Sequence, residues 1–463
     1  MKRTIIYASV LLLALGIFTS CKKSFLDAKP NKALLVPSNL TDFQAILDNV
    51  TVMNTTVGLP NIACDDFYRS DANLAGMSAV VNNTYFWREN IFDELSSNDW
   101  DVPYKTVFYA NVVLDGLALV ARNEKNSVEF DRIKGSALFF RSMAFFHLSQ
   151  MFAVPFEASS ATNSFGIPMP LNSNVNNLLG RGNLKQTYDQ MINDLTASFS
   201  LLPNSSKSTN MANKCAVYGY LARIYLIMGD IAIAKRYAEE YLKITDKLLD
   251  FNTLNASSAR PMPNGGVANA NAEVVFALFL NGYAYDSSTT TFVQPELYQL
   301  YEDNDLRKVC YFADRGNKNY TFKGSYFAST SSFGGVATDE IYLIKAECEA
   351  RLGNTSVALD YLDKLLLTRW RKSNSGTSTY IKKTAANSTA ALKIILQERR
   401  KELLTRGLRW SDLRRLNTLA GAEQSLVRNN NLSTFDLAPK SLRYTFPIPL
   451  NEILSSGIQQ NPR

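Results

Sequence analysis

The strongest constraint on the fold is a helix-pair pattern that occurs twice, 124 residues apart. Tyr218, Ala222, Gly229, Ala234, Tyr237 and Leu242 recur as Tyr342, Ala346, Gly353, Ala358, Tyr361 and Leu366. A small Ala at a helix crossing lets two backbones approach closely, and Tyr fills the gap to the next pair. Gly229-Asp230 and Gly353-Asn354 suit the ends of the first helix of each pair. Such a pair cannot bury its faces alone and must stack on others.

Further stretches carry the same helical period. Residues 104–122 place Val107, Phe108, Val112, Leu114 and Leu117 at helical spacing, and 131–152 do so with Ile133, Leu138, Phe139, Phe145, Leu148 and Phe152. Residues 184–202, 214–228, 232–249, 339–352, 356–370 and 389–405 read alike. Tyr218-x-x-Leu221-Ala222-x-x-Tyr225, with Ala234 twelve residues after Ala222, matches the tetratricopeptide spacing with Tyr for Trp and Ala for Gly. The fold class that follows is mainly all-α, with helix-pair repeats at about 104–152, 184–249, 339–370 and 389–418. Between them lie long polar stretches at 155–183, 251–272 and 373–388; loops of this length are functional or mobile. Residues 273–280 are the best strand candidate, and 305–335 are expected to add short strands. An irregular region of about 50–100 and 251–335 is left for ligand binding.

Composition removes several function classes. The 463 residues hold 49 Lys and Arg against 42 Asp and Glu, an excess too small for a nucleic-acid footprint. There is one histidine, His147, set in the apolar run Phe145-Phe146-His147-Leu148 and expected in the core. That leaves no His-rich metal site, and no Ser/His/Asp or Cys/His triad except one built on His147. No cofactor is expected. Glu398 and Glu402 share a helix face four residues apart, but Arg399, Arg400, Arg406 and Arg409 crowd them. Pairing lowers a carboxyl pKa, the wrong direction for a general acid. This segment is expected to be an ion-paired junction, and the protein is not expected to be an enzyme.

The first twenty residues read as a secretory signal. Lys2 and Arg3 precede an apolar run from Ile5 to Phe18, too short for the ~20 residues that span a bilayer. Thr19-Ser20-Cys21 then matches the lipoprotein-processing pattern, which makes Cys21 the lipidated first residue of the mature chain. Cys64, Cys215, Cys310 and Cys348 show no Cys-x-x-Cys spacing and are expected as buried free thiols, not zinc ligands.

These segments together resemble the SusD/RagB outer-membrane lipoproteins. Phe25-Leu26-Asp27-Ala28-Lys29-Pro30 is similar to the family's mature start. Gly135-x-Ala137-x-Phe139-x-Arg141-x-x-x-Phe145-x-x-Leu148, with Gly166-Ile167-Pro168 after it, resembles its first repeat. Glu340-x-Tyr342-Leu343-Ile344-x-Ala346-Glu347 resembles a later one. The most specific segment is Glu398-Arg399-Arg400-x-Glu402-Leu403-x-x-x-Gly407-x-Arg409-Trp410-x-Asp412-Leu413-Arg414-Arg415; the tail Phe446-Pro447-Ile448-Pro449 completes the match. The resemblance implies a single unit over 21–463 built on tetratricopeptide-type helix pairs. It implies a lipid-anchored outer-membrane protein facing the exterior, which binds a nutrient glycan and delivers it to a SusC-like TonB-dependent barrel. A scaffold or lid that binds peptides or proteins is the alternative.

Sugar rings offer C–H faces to aromatic side chains and hydroxyls to polar ones. The repeat helices spend their aromatics on packing, so the ligand residues are sought in the irregular segments. Tyr68, Arg69, Asp71 and Asn73 form one candidate cluster, Tyr283 and Tyr285 a second, and Tyr326 beside Phe327 a third. Trp87, Trp100 and Tyr104 are expected to pack.

Overall fold

Two glycines end equivalent helices in the same way. Gly229 and Gly353 lie at φ +79° and +89°, where a Cβ is penalised. The N–H of Gly229 donates to the Leu226 carbonyl and that of Asp230 to Tyr225; the N–H of Gly353 donates to Ala350 and that of Asn354 to Glu349. The helices that flank them are α5 (Lys214–Met228) and α6 (Ile231–Ile244) in one copy, α7 (Thr338–Arg351) and α8 (Thr355–Leu367) in the other. Ala222, Ala234, Ala346 and Ala358 are fully buried at the crossings. The Tyr218 and Tyr237 rings stand 6.0 Å apart, and so do Tyr342 and Tyr361. The 124-residue repeat is therefore a repeat of packing.

The computed structural model describes residues 37–463. The signal segment, Cys21 and Phe25–Pro30 lie outside the described residues. Residues 39–463 form one compact unit. Its remaining long helices are α2 (Asn98–Leu117), α3 (Ser127–Phe152), α4 (Leu184–Leu201), α9 (Ser388–Glu402) and α10 (Leu408–Leu416), with the short α1 (Leu40–Leu47) and α11 (Leu450–Ser456) near the two ends. From Gly135 to Phe152 α3 is buried on every side, and the polar side chains it carries there find partners, Arg141 with Asp194 and His147 with Tyr220. Each fully buried Phe along it contributes about 1.5–3 kcal/mol of apolar transfer. α2 lies along one side of α3 and α4 along another. The chain continues through the α5–α6 pair, and α6 packs on α7, α7 on α8 and α9.

The strands are short and pair in twos. Residues 273–280, expected as one strand, divide into β5 (Val274–Phe276) and β6 (Phe279–Leu280). β5 pairs with β10 (Val336–Ala337), while β6 pairs with β1 (Thr55–Thr56). β2 (Phe67–Tyr68) pairs with β7 (Phe292–Val293). β8 (Phe312–Asp314) and β9 (Tyr320–Phe322) form a hairpin in the 305–335 stretch. The irregular segments thus hold to one another through single ladders, and Val336 sits so close to α5 that a Cβ on Gly219 would collide with it.

Buried ion pairs join these loops to the helices. Arg307 reaches Asp305, Glu398 and Glu402 at 2.7, 2.6 and 2.9 Å. Arg369 bridges Glu402 and Glu273, both at 2.7 Å. Arg406 holds Asp339, and Arg223 holds Glu340, each at 2.6 Å. Removing one partner of such a pair leaves an uncompensated buried charge, at a cost of about 3–5 kcal/mol. The ion-paired junction expected over 398–415 is present, but Glu398 and Glu402 are held by Arg307, Arg369 and Lys401. The neighbouring arginines pair elsewhere: Arg399 with Asp412, Arg400 with Asp65 and Asp66, Arg406 with Asp339, and Arg409 with Asp65. The four cysteines are buried free thiols. No helix among the described residues is long and apolar enough to cross a membrane.

Candidate functional site

The structure separates the residues singled out as ligand candidates. Tyr285 and Tyr326 are core residues, 1% and 2% exposed. The Tyr326 hydroxyl donates to Glu273 at 2.6 Å, and Arg406 covers its ring at 4.2 Å. Neither ring offers a face to a sugar. The sequence does not distinguish them from surface aromatics because both sit in polar, Ser-rich loops, and it is the ladders and ion pairs that draw the rings inward. Tyr283 is half-buried and donates its hydroxyl to Asp99 at the start of α2. Arg69 is buried, with Nη1 donating to Thr291 Oγ1 at 2.7 Å and Nη2 to the Asn73 carbonyl at 2.8 Å. Its role in the structure is to fix the 70–74 turn against the 285–291 loop. Tyr68, Asp71 and Asn73 keep partial exposure. The Tyr68 hydroxyl donates to Asn319 at 2.8 Å, and Asp71 accepts the Asn431 N–H at 2.6 Å.

The loops that carry these residues do meet. Phe67, the 285–291 loop and the 321–332 segment line one cavity of about 70 Å3. It is small and polar. Asp286 on its wall is pushed up to about 7 by burial, so its carboxyl is largely neutral below that pH.

A second, larger cleft of about 450 Å3 lies along α2, a volume within the range of small-molecule sites. One stripe of α2 forms its floor: Trp100, Tyr104, Phe108 and Asn111, at spacings of four, four and three. Trp100 is buried against Tyr104 and Phe152, with ring centroids at 4.7 and 4.9 Å. Phe108 is 37% exposed and faces the opening. The opposite wall is the loop from Pro168 to Leu179, which carries Asn172, Asn174 and Asn177 between apolar residues. Side chains of α2 anchor that loop. The Tyr104 hydroxyl donates to the Pro168 carbonyl at 2.8 Å, Asn111 Nδ2 to the Pro170 carbonyl at 2.8 Å, and Ser173 donates to Asp115 at 2.7 Å. Glu452 of α11 also lines the cleft. The pattern reading missed this cleft because it assigned the whole apolar face of the helix to packing. The available signal was the loop itself, where Leu171, Val175 and Leu178 interrupt an Asn-rich run.

The two cavities flank one junction. Asp99 accepts N–H donors from Gly58 and Leu59 and the Tyr283 hydroxyl. Its neighbours Trp100 and Asp101 line the cleft, and the Tyr285–Thr289 turn beyond Tyr283 lines the smaller cavity. His147 belongs to neither. It is buried with Nε2 3.1 Å from the Tyr220 hydroxyl oxygen, and burial, with Arg223 nearby, depresses its pKa to about 3. Among the described residues no cluster of His, Cys, Asp and Glu could hold a metal ion.

Comparison with known proteins places this architecture. A family profile described as starch-binding and associating with the outer membrane matches residues 24–226, and the SusD family profile matches 338–463. A SusD superfamily protein of Bacteroides thetaiotaomicron VPI-5482 superimposes with a TM-score of 0.71 at 19% identity, over 92% of this chain and 100% of its own. A putative sugar-binding protein of Bacteroides vulgatus ATCC 8482 gives 0.71 at 21% identity, over 91% and 98%. A laminarin-binding SusD-like protein gives 0.63 at 18% identity, over 91% and 98%. Curated proteins give no match. The two profiles, matched in order along a chain whose helix pairs repeat as described, make this protein a member of the SusD/RagB family.

Proposed function

We propose that the protein binds a nutrient glycan at the outer membrane, anchored through a lipid on Cys21, and hands it to a TonB-dependent barrel. The observation that carries the reading is the α2 cleft. Tyr104 and Phe108 supply aromatic surface for the C–H face of a sugar ring, and Asn172, Asn174 and Asn177 line the opposite wall for its hydroxyls. The family and the laminarin- and sugar-binding neighbours support the same ligand class. No carboxylate pair stands free for hydrolysis at the junction, because Arg307, Arg369 and Lys401 occupy Glu398 and Glu402. A few stacking and amide contacts give modest affinity, roughly micromolar to millimolar, or about −8 to −4 kcal/mol.

Calorimetry against a panel of oligosaccharides tests it. Phe108→Ala is expected to weaken binding of the best glycan by about tenfold with the melting temperature unchanged. Wild-type affinity in that variant removes the cleft from the site. Cys21→Ala is expected to release the protein from the outer-membrane fraction.

One observation favours a second reading, a lid that binds peptide. Val175 and Leu178 on the cleft wall are 74% and 67% exposed, the kind of surface that a protein partner covers. Binding of peptides but of no glycan selects it.

A further inference from the structure

The small cavity between the 285–291 and 321–332 segments gathers three cations on one wall. Arg260, Arg315 and Lys323 line it, and none of the three makes an ion pair among the described residues. At the helix junction, by contrast, Arg307, Arg369, Arg406 and Arg415 all meet carboxylates. Lys323 donates to the carbonyls of Ala256 and Ser258 at 2.7 and 3.1 Å, which fixes the turn that carries Arg260. Arg315 spends its Nε on Thr321 Oγ1 at 2.9 Å, and its two terminal nitrogens have no partner among the described residues. Among the described residues the Arg260 guanidinium has no hydrogen-bond or ion-pair partner.

Among the described residues the one carboxylate on the wall is Asp286, which burial holds toward its neutral form, so it does not cancel the three cations below about pH 7. Burial also draws the Lys323 ammonium below its usual range, as expected of a cation that lacks a counter-charge. Ten of the seventeen lining residues are Ser or Thr, so hydroxyl donors and acceptors surround the cations. The volume of about 70 Å3 holds a handful of waters, room for one substituent and not for a sugar ring.

We infer that this cavity receives the carboxylate or sulfate group of an acidic oligosaccharide, with Arg260 and Arg315 as its charge partners and the sugar ring outside. The inference rests on the glycan-binding reading and narrows it to charged glycans. A guanidinium suits either anion, since its paired N–H donors match two oxygens at once. Ser287, Thr289 and Thr330 are exposed members of that lining, so a ring outside the cavity meets hydroxyls that both donate and accept as its own do, which favours a saccharide over an acidic peptide.

Calorimetry on the full chain without its signal provides the test, with five probes: oligogalacturonate, its fully methyl-esterified form, chondroitin sulfate oligosaccharide, sodium sulfate and polyglutamate. At least one of the two acidic saccharides is expected to bind. Loss of charge by esterification should weaken oligogalacturonate by about tenfold or more, and raising salt from about 50 to about 500 mM should weaken whichever acidic saccharide binds. The Arg260→Gln/Arg315→Gln double variant should lose about tenfold toward that saccharide while Phe108→Ala, tested in parallel, affects neutral glycans as well. Both arginines reach solvent, and an unchanged melting temperature is the folding control; Arg260→Glu provides a second variant with a larger expected loss.

Equal affinity for the esterified and acidic forms, or full acidic-saccharide binding in the double variant, overturns the inference. So does sulfate or polyglutamate binding where neither acidic saccharide binds. Neutral glycans bound without acidic ones sink this inference alone; no glycan of either kind sinks the glycan-binding reading beneath it.

Discussion

Arg415 clamps Glu347 with two parallel N–H···O bonds of 2.6 and 2.8 Å, tying α10 to the second copy of the repeat. Both side chains are buried, and Arg415 Nε also donates to Asp412 at 2.8 Å. Burial pushes the Glu347 carboxyl up, but Arg415 and Arg351 outweigh it and hold it down to about 2. Arg415→Ala is expected to cost about 3 kcal/mol in urea unfolding, at the low end for a broken buried pair because Arg351 still reaches Glu347 at 2.8 Å. A depressed carboxyl contributes stability above its unfolded value near 4.3, lost as pH falls toward 2. Wild type should therefore lose stability across that window, and the variant should lose less. Equal acid sensitivity in the two proteins would count against the clamp.

The repeat makes a second prediction. Ala222 and Ala346 occupy equivalent crossings with no exposed surface. Ala222→Trp or Ala346→Trp cannot be accommodated without moving a helix, and a loss above the ~1–3 kcal/mol usual for overpacking is expected. Differential scanning calorimetry reads it as a melting temperature lower by several degrees. An unchanged melting temperature in both variants would refute the stacked-pair packing.

His147 gives the third. With its pKa depressed to about 3, the imidazole stays neutral in the folded protein through the physiological range. A group of this kind contributes stability above its unfolded value near 6.5, and loses about 1.4 kcal/mol per pH unit below it until the folded value is reached. As the only histidine in the chain, it supplies a single imidazole resonance for NMR. That resonance should not titrate between pH 8 and pH 5. A midpoint near 6.5 would place His147 in contact with water.

The repeat and the helices were legible because each follows from local spacing, and the ion-paired junction because its charges cluster in one segment. Tyr218 and Tyr342 announce their crossings through the residues four, eleven and sixteen positions on. The density of charge over 398–415 announces a junction but not its partners: Glu398 pairs with Lys401 and with Arg307, ninety-one residues away, while Arg399 turns to Asp412 and Arg400 to Asp65 and Asp66. The ligand face was less legible, because exposure in loops is set by contacts distant in sequence. Tyr326 turns inward to reach Glu273, fifty-three residues away, and Tyr283 to reach Asp99, 184 residues away. Phe108 shows the opposite case. Its helical position reads as core, yet the Asn-rich loop held by Tyr104 and Asn111 stands off from the ring and leaves it open. Secondary-structure periodicity reports which face of a helix is apolar, and only tertiary structure decides whether protein or ligand covers it.

Tyr283 and Tyr285 provide the last prediction, since two residues apart they do different work. Tyr285 packs at 6.1 Å from Tyr85 with its ring fully enclosed, so Tyr285→Ala should open a cavity and cost about 3–5 kcal/mol. Tyr283 is half-buried, and its hydroxyl completes the donor set of Asp99 beside the Gly58 and Leu59 N–H groups. Burial already raises the Asp99 carboxyl, with these hydrogen bonds opposing it. Tyr283→Phe deletes one donor and keeps the ring, so the Asp99 pKa should rise further and stability at neutral pH should fall by about 1–3 kcal/mol. A raised carboxyl penalises the folded state once pH exceeds its unfolded value near 3.9, and the penalty grows up to the folded value. The difference between wild type and Tyr283→Phe should therefore widen as pH rises from about 4 and vanish below it. Urea unfolding at pH 3.5 and pH 7 reads that difference. An identical loss at both values would show that the phenol packs there without serving the carboxylate, and the 281–291 loop would then be held to α2 by contacts other than this hydrogen bond.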